Sequence, residues 1–234
     1  MPVRTATSEV SELFIAKQPI VDVDRRIAAH ELLYRDGVVN AYRGDDPDLA
    51  SAKVMATALE LSGCLDECDE EKVFVNLPYK TLIRGDYRAM PQAVTVFELL
   101  EDVPPTSEVV RAARTLKDEG YELALDDFIY ESQFDPLLDI ADYVKVDIRL
   151  SEGRVHRDIV SRLKRYRCTW LAEKVETEQE FDQTRALGFA LFQGYFFDKP
   201  RVLHGQTLTP TDQARIHLLV LINEQALRFD EIER

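Results

Sequence analysis

The chain has 234 residues, 45% of them hydrophobic, which suffices for one sizeable core but not for two comfortable domains. Lysine and arginine total 29 against 43 aspartates and glutamates, a formal net charge of −14, which argues against a DNA or RNA polymer as partner because such binding needs clustered cations. No run of about 18 apolar residues appears and the polar start MPVRTATSEVSE lacks a secretory stretch, so the expectation is a cytoplasmic protein with no membrane span.

Residues 1–12 read as a flexible N-terminal segment, 13–207 as one barrel domain and 208–234 as a closing helix. Phe14 to Val21 and Ile27 to Arg35 have strand character and are separated only by DVDRR. That gap leaves no room for a crossover helix, so the two should form an antiparallel hairpin. A helix through SAKVMATALELSG should end near Gly63. Cys64 and Cys68, one helical turn apart, and Cys168 make an odd count that fits a reducing compartment. They read as ordinary thiols, since zinc sites bring more ligands at tighter spacing.

Further strands are expected at Val73 to Leu77, Val94 to Leu99, Glu122 to Asp127, Asp142 to Ile148, Thr169 to Glu173 and Ala190 to Phe197. Between them, SEVVRAARTLKDEG and DIVSRLKRYR have helical periodicity. TEQEFDQTRALG opens with Thr177 and Glu180 in capping-box register and closes on Gly188. About eight strands alternating with helices specify an α/β fold, a TIM-like (β/α) barrel with one antiparallel strand from the opening hairpin.

Strands buried in a barrel should be apolar, yet these end in Glu31, Asn76, Glu98, Asp126 with Asp127, Lys145 with Asp147, Glu173 and Gln193. The C-terminal ends of parallel barrel strands converge on one mouth, so these groups should share one small space. Crowded carboxylates raise one another's pKa unless cations intervene. Oxygen ligands with one amide among them suit Mg²⁺ or Mn²⁺ rather than zinc, and Asp126 beside Asp127 suits two neighbouring ions bracketing a phosphodiester. Any one of these carboxylates would serve equally well as a helix cap or a surface ion pair. Their recurrence at strand after strand is what local roles explain poorly.

In order along the chain, Gln18-Pro19-Ile20, the E-x-L-x-R of Glu31 to Arg35, Asn76, the E-x-x-E of Glu98 and Glu101, Asp126-Asp127-Phe128, Lys145-Val146-Asp147, Glu173-Lys174-Val175-Glu176 and Gln193-Gly194-Tyr195 form a set. With these motifs the chain resembles EAL-domain cyclic di-GMP phosphodiesterases from about Phe14 to Pro200. The resemblance implies hydrolysis of cyclic di-GMP to linear pGpG with two Mg²⁺ or Mn²⁺ ions. Glu31, Asn76, Glu98 and Asp126 would hold one ion and Asp127 the second, with Glu173 beside it. Lys145 would contact the nucleophilic water, Gln18, Arg35 and Gln193 would serve the dinucleotide, and Glu101, Asp147 and Glu176 would support the site. A homodimer is also implied.

Two departures stand out. Ile129-Tyr130-Glu131-Ser132 replaces the family's glycine-rich loop, and Lys174 replaces a glycine beside Glu173. With ELLYR and AEKVET they make the chain similar to the EAL branch that is followed by an HDOD domain. Because every acidic and amide position of the motif set is present, the leading expectation is an active phosphodiesterase. A cyclic di-GMP receptor with slow or no turnover stands second and a protein-interaction scaffold third.

Overall fold

Strand alternation decides the architecture. In the computed structural model, residues 14–35, 71–149 and 159–203 are described. The helices expected at 51–63 and 208–234, Cys64, Cys68 and the N-terminal segment 1–12 lie outside them. Among the described residues nine strands share one sheet: β1 (Phe14–Asp22), β2 (Ile27–Arg35), β3 (Lys72–Leu77), β4 (Thr95–Leu99), β5 (Glu122–Leu125), β6 (Tyr143–Asp147), β7 (Thr169–Glu173), β8 (Leu191–Phe192) and β9 (Arg201–Leu203). Strands β2 to β8 run parallel in chain order, and β1 closes the ring antiparallel to both β2 and β8. The TIM-like barrel and its one antiparallel strand are as expected.

The last expected strand, Ala190 to Phe197, is mostly not strand. Pairing stops at Phe192, and residues 194–197 turn back, the Phe197 N–H donating to Gly194 O at 3.1 Å. Pairing against β1 resumes at β9, opposite Ile15 to Lys17.

Each of β1 to β8 divides its side chains between two apolar cores. Outward residues such as Val73, Val75, Phe97, Leu123, Val144 and Ala172 belong to the larger core, with Val109, Ala113 and Leu116 of helix α1 (Ser107–Asp118) and Phe181 of helix α2 (Glu178–Leu187). Val109, Ala113 and Leu116 fall on one face at helical spacing, and Thr106 caps the start of α1, its side chain accepting from the Val109 N–H. Helix α2 carries the predicted capping box and ends on Gly188 with φ 106°. The smaller core fills the barrel with one residue from each of β1 to β8: Ile20, Ala29, Phe74, Val96, Ala124, Leu171 and, partly buried, Tyr143 and Leu191.

Candidate active site

The alternation that sends those eight residues inward also aims the residues two places nearer the mouth. From β2 to β8 that step gives Glu31, Asn76, Glu98, Asp126, Lys145, Glu173 and Gln193; on the reversed β1 it gives Gln18. One apolar tier thus supports one polar tier. The polar tier floors a cavity of about 520 Å³, within the roughly 300–1,000 Å³ usual for small-molecule sites. Its walls bear Gln18, Glu31, Asn76, Asp126, Asp127, Arg149, Glu173, Lys174, Glu176, Gln193 and Tyr195, while Glu98 and Lys145 are 0% and 1% exposed beneath them.

Lys145 is the hub of this tier. Its Nζ lies 2.6 Å from Glu98, 2.8 Å from Asp126, 3.0 Å from Glu173 and 3.5 Å from Glu31. Gln193 Nε2 donates to Glu31 Oε2 at 2.5 Å, and Gln18 Nε2 donates to the Asp198 carbonyl at 3.5 Å. Four carboxylates around one ammonium leave an excess of negative charge in a dry place. Burial pushes Glu98 well above the usual carboxylate range; Lys145 pulls against it, and Glu31 and Asp126 add to the rise. Burial likewise pushes Glu173 up to about 8, opposed by Lys145 and reinforced by Asp126, Glu31 and Asp127. For Lys145, burial alone would lower the pKa, but the four carboxylates together outweigh it and hold the ammonium well above the ordinary lysine value.

A second charged group lies beside the first. Lys174 Nζ is in contact with Asp147 Oδ2 and 3.4 Å from Asp127 Oδ1. Asp127 and Lys174 both have positive φ, 38° and 59°, which is uncommon outside glycine. Farther out, Arg149 pairs with Glu176, and the Arg149 N–H donates to Asp147 Oδ1 at 2.8 Å. Arg149 was not singled out from the sequence, although it follows Lys145-Val146-Asp147 by two places. Glu101 is exposed in the turn after β4 and is not among the cavity's lining residues. The side chain of Arg35 lies outside the described residues. The replacement loop is pinned through Tyr130, whose hydroxyl donates to Asp135 at 2.9 Å and accepts from Arg165 at 2.6 Å.

The donor set suits a hard divalent cation. Asn76 Oδ1, Glu98 Oε2 and Glu173 Oε2 are buried oxygens without hydrogen-bond partners among the described residues, an arrangement that is costly unless a cation takes them up. As placed, the carboxylates gather around the Lys145 ammonium. Among the described residues no three acidic, histidine or cysteine side chains already converge in metal-ligating geometry.

Residues 79–200, just over half of the chain, match the family model described as the EAL domain. The chain belongs to the EAL domain family. Of the polar tier, Glu98 to Gln193 fall within the matched span of this EAL domain, and Gln18, Glu31 and Asn76 precede it. It is 34% identical over 224 residues to the cyclic di-GMP phosphodiesterase CdgJ of Vibrio cholerae, covering 94% of this chain and 52% of that protein. With YuxH of Bacillus subtilis it shares 34% over 205 residues, covering 84% and 49%. The chain therefore spans about half the length of the curated relatives it matches. Among solved structures, YkuI of Bacillus subtilis, with an EAL domain, in complex with cyclic di-GMP and calcium, matches with a TM-score of 0.68 at 17% identity, covering 94% of this chain and 64% of that one. BlrP1 of Klebsiella pneumoniae, as a calcium and cyclic di-GMP complex, matches at 0.67 and 23%, covering 86% and 59%. These likenesses establish that the EAL fold is shared. Among the described residues no helix is long and apolar enough to cross a membrane.

Proposed function

We propose that this EAL domain hydrolyses one phosphodiester bond of cyclic di-GMP to give linear pGpG, in bacterial second-messenger signalling in the cytoplasm. The observation that carries the reading is the closed polar tier, in which each of β1 to β8 contributes one hydrogen-bonding or charged side chain at the floor of a single cavity or just beneath it. Glu31, Asn76, Glu98 and Asp126 are the residues proposed to hold a Mg²⁺ or Mn²⁺ ion, and Asp127 the one proposed for a second. A divalent ion bound there supplies Lewis acidity toward the phosphoryl oxygens and the attacking water.

The protein's own groups do the rest. Glu173, proposed to accept the water's proton, is held by burial in the range where a carboxylate exchanges protons near neutrality. Lys145 keeps the carboxylates together and offers its charge to the developing phosphoryl negative charge. Gln193 holds Glu31 by its amide, and Gln18, Gln193 and Arg35 are assigned to orienting the dinucleotide. Glu176 and Asp147, through Arg149 and Lys174, keep the rim in place, and Glu101 is assigned a supporting role. Homodimerisation and an HDOD partner are the assemblies that belong with this reading.

Incubating the chain with cyclic di-GMP and Mg²⁺ or Mn²⁺ should yield pGpG by chromatography. Tight binding without product would replace the enzyme with a receptor, a second reading that one observation favours: the Lys174 ammonium lies against Asp127. No binding under either metal would defeat both.

A further inference from the structure

The proposed mechanism uses Lys174 only to hold the rim. Its side chain lines the cavity, and its ammonium lies between two carboxylates that the fold brings together from different strands, Asp147 ending β6 and Asp127 just beyond β5. Asp127 adjoins Asp126, Lys174 adjoins Glu173 and Asp147 lies two places beyond Lys145, so this trio stands just outside the polar tier.

The lysine is held there by backbone. The Val175 N–H donates to the Gln193 carbonyl at 3.0 Å and the Phe196 N–H donates to the Val175 carbonyl at 3.1 Å. On the far side, a Cβ at Gly194 would come within 2.0 Å of Val175 O, so the two segments are in direct backbone contact. The turn therefore cannot relax the left-handed Lys174 without breaking the contacts that end β8.

Two carboxylates that flank one point at the cavity's edge invite a cation, and here the chain supplies one on a tether. A divalent ion entering between Asp127 and Asp147 would have to displace this ammonium and would be repelled by it at short range. We propose that Lys174 is a built-in cation occupying the Asp127–Asp147 position, so that this domain takes up one divalent ion, on the Glu31, Asn76, Glu98 and Asp126 side, where the resemblance alone implies two. The proposal rests on the metal-dependent reading above and replaces its second ion with an amino group.

Counting ions tests it without reference to turnover. Mn²⁺ alone is titrated into the full 234-residue chain, with free Mn²⁺ followed by electron paramagnetic resonance. One equivalent is expected for the wild type and for Lys174→Arg. Two are expected for Lys174→Gly, which also suits the positive φ, and for Lys174→Gln, which keeps the first half of the stem and loses the charge. In both, the second ion should half-saturate at least about tenfold below any second wild-type event. Two equivalents in the wild type, or one in both charge-removing variants, would overturn the role of Lys174 and leave the metal-dependent reading standing. No bound Mn²⁺ in any of the four proteins would overturn the metal-dependent reading as well.

Discussion

Replacing Lys145 with methionine, a side chain of similar length without charge, tests whether the hub holds the polar tier together. The ammonium is 1% exposed and lies 2.6, 2.8, 3.0 and 3.5 Å from four carboxylates. At an effective dielectric of about 20, each such contact carries roughly 5 kcal/mol of attraction, most of it offset by the cost of drying both partners. Removing one member of a buried ion pair costs about 3–5 kcal/mol net, a large share of the ~5–15 kcal/mol that stabilises a typical domain. The loss should depend on pH, because carboxylates deprived of their counter-charge relieve the strain by taking up protons. Their folded pKa values, already high at Glu98 and about 8 at Glu173, would rise further. A carboxyl with a raised folded pKa favours folding below its unfolded value and loses that contribution as pH climbs through the folded one. Urea unfolding with chelator present should therefore show Lys145→Met weaker than wild type by about 3–5 kcal/mol at pH 8 and by clearly less at pH 5. Equal stability at pH 8, or a deficit that shrinks as pH rises, would refute the assignment of Lys145 as the counter-charge.

Other expectations follow from the same geometry. Glu31→Ala removes a proposed ligand and the acceptor of the Gln193 amide, and pGpG formation by chromatography should fall at least about a hundredfold; undiminished turnover would sink the site assignment. In wild-type protein, Mn²⁺ affinity by calorimetry should strengthen as pH rises, with proton release, since the ion needs the proposed ligand Glu98 charged and burial holds that carboxyl well above the usual range, and a flat profile would exclude Glu98 as a ligand. Gly194→Ala would press a methyl group to within 2.0 Å of the Val175 carbonyl, so thermal melting should drop by several degrees, and an unchanged midpoint would mean that the 174–176 turn moves freely.

The barrel was legible because its strands announce both faces at once. Phe74 and Asn76 of β3, or Val96 and Glu98 of β4, already show an apolar inward residue followed two places on by a polar one. What one strand cannot reveal is the angle at which its neighbour delivers the next side chain. That Lys145 is the ammonium on which four carboxylates close is therefore visible only in the fold. Lys174 was a visible departure whose direction was open; two positive φ values, set by long-range backbone contacts, turned it onto Asp127 and Asp147. Arg149 is not legible in the sequence because a lone arginine after a strand reads as surface charge until Glu176, from a different loop, meets it. Apolar Phe196 and Phe197 prolong the last strand's pattern in the sequence, yet they pack against Phe181 across a turn.

Because β1 closes the ring, the polar tier is stitched across very long stretches of chain. Gln193 and Glu31 are 162 residues apart, and Gln18 and Asp198 are 180 apart. At a synthesis rate of about 5–20 residues per second, some 10–30 s separate the emergence of Glu31 from that of Gln193. Throughout that interval a nascent chain exposes barrel strands without a finished mouth, the kind of long-range topology that folds slowly and relies on chaperones. A partly made chain is thus expected to be silent toward its substrate, with competence arriving abruptly when β8 docks on β1. Truncation from either side of this closure should abolish the site altogether rather than weaken it by degrees.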